Sequence, residues 1–292
     1  MDGIIIVDKP AGWTSHDVVA KLRGTLKEKR VGHSGTLDPM ATGVLVVFVG
    51  RATRAAGFCE NSDKEYIAGL RLGLVTDTQD VTGSAISVCE ACISAKDLSG
   101  VIPRFLGAQK QIPPMYSAIK LGGKKLYELA RRGIEVQRPA KDVFISEIDL
   151  LEGEGDEYLL RVACSKGTYI RTLCNDIGAA LGCGGSMSSL RRIKAGAFTI
   201  DMAHTIDEIK AYASSENIES LMLPVETIFS EYPAFSLGDA DMRKCKNGAP
   251  CKAGNQHDGI YRFYGPDNKF IMLGEVCCGE IKVIKSFFLN EE

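Results

Sequence analysis

The amino-acid sequence predicts a mixed α and β fold that ends in a separate small β domain. Short apolar runs rich in β-branched residues, at positions 4–7 and 44–49, predict buried strands. Polar capping patterns such as Ser94 followed by Asp97 predict helix starts between strands. From residue 230 the pattern changes to short strands between glycine turns, and 292 residues suffice for two domains of about 150 residues each.

The N-terminal segment alternates strand, helix and loop. After the strand at 4–7, Ser15 predicts the start of a helix that Gly24 ends. Residues 31–43 contain glycines, hydroxyl side chains and a proline without periodicity, so they predict a loop that leads into the strand at 44–49. The remaining predictions follow in chain order: a strand at 66–74, a polar turn at 76–80, a helix at 95–105, a basic helix at 124–132, paired strands at 143–151 and 158–165, helices at 168–180 and 205–213, and C-terminal strands at 270–276 and 281–288.

The composition is that of a globular protein. Hydrophobic residues make up 45%, charged residues 25% and the net charge is −2, which excludes disordered and collagen-like classes. No apolar run approaches the roughly 18 residues that span a bilayer, and no signal-peptide pattern opens the chain. We therefore expect a cytoplasmic protein without membrane contact, whose ten cysteines are mostly reduced and buried.

Four basic runs stand out in this weakly acidic chain. They lie within residues 21–30, 120–141, 191–194 and 243–252. A single run is as often a solvated helix face as a binding surface. Four of them favour a polyanionic partner.

The sequence offers little support for a nucleotide cofactor or a bound metal ion. The chain has no P-loop string. The glycines between Gly178 and Gly185 follow a predicted helix instead of joining a strand to a helix, which favours a helix end over a dinucleotide loop. Cys89 and Cys92 form a lone CxxC without a second pair, so no metal site is predicted.

Asp38 is the candidate catalytic carboxylate. It directly precedes Pro39, which favours an extended backbone, and it lies on a loop that leads into a buried strand. Catalytic carboxylates are often held in this way, but the spacing alone favours a structural Asx turn. His33, taken alone, is also more often a structural residue.

One long string and several shorter ones occur in a fixed order along the chain. The long string runs from Gly32 through His33 and Asp38 to Gly43. The shorter strings are Val7-Asp8-Lys9-Pro10, Thr14-Ser15-His16-Asp17, Lys64-Glu65-Tyr66, Thr76-Asp77-Thr78, Gln111-Ile112-Pro113-Pro114-Met115-Tyr116-Ser117-Ala118-Ile119-Lys120, Cys164-Ser165-Lys166-Gly167-Thr168-Tyr169-Ile170-Arg171-Thr172-Leu173 and Leu190-Arg191-Arg192. Together they resemble the TruB family of tRNA pseudouridine synthases, which modify uridine 55 in the T loop. Ser34, Met40 and Gln79 depart from the residues usual in the family.

The resemblance implies a division of the chain and a fold. Residues 1–229 would form a catalytic domain with the pseudouridine-synthase fold, in which helices flank a mixed, largely antiparallel central sheet. Residues 108–141 would be a basic RNA-binding insertion within it. Residues 230–292 would form a small RNA-binding β domain of PUA type.

The resemblance also implies a reaction and the residues for it. The N1–C1′ bond of uridine breaks, the base turns, and C5 joins C1′, without cofactor or metal. Asp38 would be the essential carboxylate, Arg171 its ion-pair partner, and Tyr169 would pack beneath the base and take or relay the C5 proton. Tyr66 would stack on the extruded uracil. The residues implied to fill the space left by displaced nucleotides are His33 and Leu190.

The implied partner is the T stem-loop of tRNA, bound by a monomer that needs no protein partner. The basic insertion would act as a clamp that RNA orders. Some cationic side chains are implied to contact RNA or to form ion pairs that support the RNA-binding surface. They are Lys9, Lys64, Lys120, Lys124, Lys125, Arg131, Arg132, Arg191 and Arg192.

Two alternatives stay open at this point. The chain could isomerise uridine in another RNA, as eukaryotic and archaeal relatives do inside guide-RNA particles, or it could bind or fold tRNA without catalysis. The sequence also leaves open whether Asp38 attacks C1′, attacks the base or removes a sugar proton.

Overall fold

A computed structural model of the chain describes residues 1–287. Its strands are β1 (Gly3–Lys9), β2 (Val31–Ser34), β3 (Thr42–Val49), β4 (Lys64–Leu72), β5 (Leu74–Thr76), β6 (Ala85–Val88), β7 (Gly107–Gln111), β8 (Lys120–Leu121), β9 (Lys124–Lys125), β10 (Lys141–Glu154), β11 (Glu157–Cys164), β12 (Gly185–Ala195), β13 (Phe198–Thr199), β14 (Ala234–Ser236), β15 (Cys251–Lys252), β16 (Gly259–Tyr264), β17 (Phe270–Cys277) and β18 (Glu280–Ser286). Its helices are α1 (Ser15–Leu26), α2 (Ala56–Glu60), α3 (Ala95–Val101), α4 (Leu126–Ala130), α5 (Ile170–Ala180), α6 (Ile206–Ser214) and α7 (Asp239–Lys246). None of the helices found between residues 1 and 287 is long and apolar enough to cross a bilayer.

The first large element is a mixed sheet. Within the described residues it has nine strands, with the path β1-β3-β12-β4-β11-β10-β7, while β2 pairs with β3 and β13 pairs with β12. The pairs are antiparallel except for β12 and β3, which run parallel. The predicted mixed, largely antiparallel central sheet flanked by helices is therefore confirmed.

β3 lies in the sheet interior because almost all of its side chains are apolar. Alternate residues point to opposite faces of the sheet. Leu45 and Val47 pack against α1 and α6, while Val46 and Phe48 pack in a second cluster that includes Phe229. The continuous apolar run at 44–49 is thus the signature of a strand that is covered on both faces.

α5 covers the other half of the sheet. Leu173, Cys174 and Ile177 pack in one cluster with Leu70 of β4 and Met187 of β12. Because the first turn of α5 follows directly on β11 and the loop after it, this packing fixes where residues 169–172 lie.

The structure corrects several predicted elements. The predicted loop at 31–43 begins with strand β2, which pairs with β3. The predicted basic helix at 124–132 is only five residues long, because Gly122 and Gly123 adopt left-handed backbone angles and turn the chain into the β8–β9 hairpin. The predicted helix at 95–105 ends at Val101 as an α-helix and continues as a 3-10 turn.

A second sheet forms the C-terminal part, with the order β14-β16-β17-β18-β15. The predicted strands at 270–276 and 281–288 match β17 and β18, although residue 288 lies outside the described residues. Helix α7 was not predicted, because its residues are mostly charged and give no apolar stripe. Phe229, Phe270 and Phe287 join this sheet to the first, with ring centroids 5.3–6.0 Å apart.

Candidate active site

Asp38 lies at the start of a tight turn that is anchored on both sides. The N–H of Ala41 donates to the Asp38 carbonyl at 3.0 Å, with Pro39 at the second position of the turn. On one side, the N–H of Leu37 donates to Ser15 Oγ at 2.9 Å. On the other, the Gly12 N–H donates to the Pro39 carbonyl at 2.8 Å. The backbone around the carboxylate is therefore held by the loop before α1 and by its first residue.

Lys9 strengthens this anchoring from inside the protein. The side chain is fully buried, and its Nζ donates to the carbonyls of Pro10 at 2.9 Å, Trp13 at 2.6 Å and Pro39 at 3.2 Å. Burial lowers the pKa of Lys9 to about 8, although the nearby Asp38 charge favours the protonated form. Lys9 thus ties the loop after β1 to the turn that carries Asp38.

Arg171, in the first turn of α5, is the ion-pair partner of Asp38. Its Nε lies 3.0 Å from Asp38 Oδ2, and its Nη2 lies 3.5 Å from Asp38 Oδ1. The guanidinium also donates to the Tyr116 carbonyl at 2.8 Å and to the Thr78 carbonyl at 3.1 Å. These contacts occupy the planar fork on several sides, so the orientation of the guanidinium toward Asp38 is fixed.

Asp80 is a second carboxylate on the same guanidinium, and sequence reasoning missed it. Its Oδ2 lies 3.8 Å from Arg171 Nη1, and its Oδ1 accepts from the hydroxyls of Thr78 at 2.9 Å and Thr82 at 2.5 Å. The sequence contains a signal for this, since threonines two residues before and after an aspartate are typical of a side-chain-stabilised turn. That signal predicts the turn but not the arginine that the turn faces.

The electrostatics of Asp38 follow from this arrangement. Burial raises the pKa of the Asp38 carboxyl, the Arg171 charge opposes that rise, and the Asp80 charge adds to it. The Asp38 side chain is 38% exposed whereas that of Arg171 is 6% exposed. The carboxylate can therefore be reached from solvent while its counter-charge stays inside the protein.

The two tyrosines that the resemblance implies lie on β4 and directly before α5. Both Tyr66 on β4 and Tyr169 are half-buried. Burial raises the pKa of each phenol, and the charge of Asp38 raises it further. The two phenols are thus protonated at neutral pH.

The backbone of Tyr169 is held by the side-chain amide of Gln111. The Tyr169 N–H donates to Gln111 Oε1 at 2.9 Å, and Gln111 Nε2 donates to the Tyr169 carbonyl at 3.3 Å. Gln111 is buried at the end of β7. This double contact fixes the residue at which α5 begins, two positions before Arg171, and sequence reasoning did not single it out.

His33 lies on β2 and Leu190 lies on β12. Burial, His16 and Arg192 all lower the pKa of His33, so its imidazole is neutral at pH 7. Its ring meets His16 edge to face at 6.5 Å between centroids. Leu190 on β12 is buried at 9% exposure. Leu190 packs in one apolar cluster with Leu37 and Tyr66, whereas His33 lies beside His16 and Arg192.

Three of the predicted RNA-contacting cations lie inside the protein, which corrects how we interpret them. Lys9 is fully buried, Lys64 Nζ donates to the carbonyls of Glu60 and Ser62, and Arg192 donates to the carbonyls of Val44 and Gly35. A charged group that is buried and already hydrogen-bonded cannot be turned outward cheaply. Their placement supports a role in holding loops and strands together, not contact with phosphate.

The other predicted cations remain at the surface. Arg191 pairs with Asp8 at 2.7 Å with 41% of its side chain exposed. Most of the insertion cations are exposed, and Lys125 and Arg131 each lie 5.4 Å from the ring of Tyr127. A cleft of about 640 Å³ separates the insertion from α5; Tyr116, Ile134, Arg138, Thr172 and Asn175 are among its lining residues.

Comparison with known proteins decides the family. A family model described as TruB family pseudouridylate synthase (N terminal domain) matches residues 23–170. A second, described as tRNA pseudouridylate synthase B C-terminal domain, matches residues 171–230. This chain belongs to the TruB family.

Individual relatives agree with the family models. The chain is similar to a protein of Clostridium kluyveri named tRNA pseudouridine synthase B, at 43% identity over 98% of this chain and all of that one. It is also similar to a protein of the same name from Alkaliphilus oremlandii, at 48% identity over 77% of this chain and 75% of the other. The TruB relationship therefore extends beyond the residues that the two family models cover.

Among solved structures, the chain resembles one described as a Cbf5-Nop10-Gar1 complex. The TM-score is 0.76 at 27% identity, over 99% of this chain and 86% of that one. A second, described as an H/ACA RNP bound to a substrate RNA containing 2′-deoxyuridine, gives a TM-score of 0.74 at 25% identity, with the same coverage. These similarities span both sheets and show a pseudouridine-synthase fold with a PUA-like C-terminal part, as the sequence predicts.

Proposed function

We propose that this TruB-family protein isomerises uridine 55 in the T loop of tRNA to pseudouridine. tRNA pseudouridine synthesis is supported by relatives of that name that align over nearly the whole chain. The observation that carries the proposal is the Asp38–Arg171 pair, in which a solvent-reachable carboxylate lies 3.0 Å from a buried guanidinium. We infer that this pair performs the chemistry.

The chemistry demands an ionised carboxylate beside the sugar. Cleavage of the N1–C1′ bond leaves C1′ short of electrons, with the oxocarbenium character of a glycosidic transition state. Arg171 favours the ionised form of Asp38 and holds its orientation through the two backbone carbonyls it also binds. Attack on C1′, attack on the base and removal of a sugar proton all require this ionised form.

The two tyrosines are suited to hold and deprotonate the turned base. A uridine in a structured loop must leave its stack before a side chain reaches C1′. Tyr66 on β4 provides an aromatic face for the extruded uracil, and Tyr169 lies at the start of α5, two residues before Arg171. Because its phenol is protonated, we assign Tyr169 to relay the proton that leaves C5 when C5 joins C1′: the phenol oxygen takes this proton as its own proton passes to solvent.

The RNA-binding surface is proposed to comprise the exposed insertion cations and the C-terminal sheet. Lys120, Lys124, Arg131 and Arg132 are exposed, and the cleft beside Tyr116 leaves room for the insertion to close over RNA. Phosphate contacts of this kind weaken steeply with added salt. Hydrogen exchange measures the closure: amides in 120–141 are expected to exchange more slowly when tRNA is added, and unchanged exchange would contradict a clamp.

We also propose domain boundaries, the part of tRNA that is bound, the oligomeric state and the location of the protein. We divide the chain into a catalytic domain at 1–229, with the insertion at 108–141, and a PUA-like RNA-binding domain at 230–292, of which residues 288–292 lie outside the described residues. The T stem-loop is the proposed substrate portion of tRNA, and a monomer without a protein partner is proposed to suffice. Because the substrate is tRNA, the proposed location is the cytoplasm.

The test uses an unmodified tRNA transcript and the full chain in buffer with a chelator. After incubation, carbodiimide labelling and mass spectrometry locate pseudouridine. Conversion at position 55, and none in a transcript with cytidine there, is the expected result. Binding without conversion would support the non-catalytic alternative, and conversion only inside a guide-RNA particle would support the alternative substrate.

A further inference from the structure

Two adjacent cysteines occupy the hairpin between β17 and β18. Cys277 pairs with Glu280, so Cys278 and Gly279 form the two-residue turn. Both turn residues have left-handed backbone angles, with φ of 55° and 76°. Hairpin turns of this kind favour asparagine, aspartate and glycine, and a cysteine there is outside that preference.

The fold brings a carboxylate to the same end of the sheet. Gly259 pairs with Val276, so the residue before β16, Asp258, is placed beside Cys277. The Cys278 N–H donates to Asp258 Oδ1 at 2.9 Å. One ligand atom from each of Asp258, Cys277 and Cys278 lies within 4.8 Å of the others.

The distances suit a tetrahedral ion. With zinc–sulfur bonds of about 2.3 Å, two thiolates on a tetrahedral Zn²⁺ lie about 3.8 Å apart. The two sulfur atoms lie 4.0 Å apart here. Side-chain rotation alone can close this difference, since Cys278 is exposed and Cys277 partly so.

We propose that Cys277, Cys278 and Asp258 bind a thiophilic divalent cation of the Zn²⁺ class, with water in the fourth position. Two thiolates and a carboxylate match the ligand preference of Zn²⁺. Binding converts both thiols to thiolates and releases their protons to the buffer. The ion links the β17–β18 hairpin to the residue before β16 and thereby stabilises the C-terminal sheet.

The other cysteine pairs do not share these features. Cys245 and Cys251 are both buried, so that pair is enclosed by protein. Cys89 and Cys92 are exposed, but among the residues that the structure describes no third ligand groups with them. They provide a matched control of two exposed cysteines.

The test is calorimetric titration of the reduced full chain with Zn²⁺ in a non-thiol reductant. We expect one ion per chain for the unaltered protein and for the Cys89→Ser/Cys92→Ser variant. The Cys277→Ser/Cys278→Ser variant should lose this binding. Asp258→Asn keeps an oxygen that can accept from Cys278 N–H but removes the charge, and should weaken binding by about tenfold or more.

Two further readouts identify the ligands without relying on the variants. Cd²⁺ in place of Zn²⁺ should give thiolate-to-metal charge-transfer absorption, and heats measured in two buffers should report the released protons. Far-ultraviolet circular dichroism checks that each variant is folded. Undiminished binding in the Cys277→Ser/Cys278→Ser variant, loss in the Cys89→Ser/Cys92→Ser variant, or no thiolate absorption with Cd²⁺ would each overturn the proposal.

Discussion

Replacing Arg171 by lysine keeps a positive charge beside Asp38 but removes the planar fork that orients it. Arg171 binds the Asp38 carboxylate and the Tyr116 and Thr78 carbonyls from three different nitrogens. A lysine has one nitrogen on a flexible stem and cannot reach all three directions. Arg171→Lys therefore leaves at least one carbonyl without its donor and frees the carboxylate to rotate.

The expected loss follows from these contacts. A buried carbonyl without a donor costs about 1–3 kcal/mol, so losing the donor of one or both carbonyls costs about 1–6 kcal/mol. If about 3 kcal/mol of this is lost from the transition state, the rate falls on the order of 10²-fold. Arg71→Lys is the matched control, because the Arg71–Asp156 pair is 39% exposed on the arginine side and such pairs contribute about 0–1 kcal/mol.

Single-turnover release of tritium measures the chemical step. When uridine carries tritium at C5, the label is lost as C5 joins C1′, and excess protein removes any effect of product release. Filter retention of labelled tRNA measures binding separately. A rate for Arg171→Lys that matches Arg71→Lys, with tRNA binding intact, would refute the claim that the guanidinium fork orients Asp38.

Two other substitutions test the surroundings of the pair. Asp80→Asn keeps a side-chain oxygen for Thr78 and Thr82 but removes the charge that raises the pKa of Asp38. The acid limb of the single-turnover pH profile should therefore move to lower pH. A shift to higher pH, or no shift, would contradict this assignment. Gln111→Met removes both hydrogen bonds to the Tyr169 backbone, and we expect urea unfolding to show a loss of about 1–3 kcal/mol together with slower tritium release. Equal stability and rate in Gln111→Met would show that this amide does not position Tyr169.

The sequence predicts the reacting residues better than it predicts their supports. Asp38 and Arg171 are found because the strings around them resemble a family, and the structure brings them to 3.0 Å. Asp80 escapes notice because the arginine it faces lies 91 residues further along the chain. Such a contact depends on how α5 packs against the sheet, so the spacing of neighbouring residues in the sequence does not predict it.

The burial of three cationic side chains also could not be predicted from the sequence. The family resemblance implies that Lys9, Lys64 and Arg192 contact RNA or form supporting ion pairs, and charged residue types are mostly exposed. Their burial results from carbonyls that converge on them only in the folded chain. The strand at 44–49, by contrast, is predicted well, because a continuous apolar run is typical of a strand whose two faces are both buried.

An ionised Asp38 carboxylate is proposed to drive the reaction. Asp38→Asn preserves the shape of the side chain and removes its charge. Single-turnover tritium release from C5-labelled tRNA should then fall to background, while filter retention shows tRNA affinity close to that of the unaltered protein. Tritium release by Asp38→Asn at a rate near that of the unaltered protein would contradict the account.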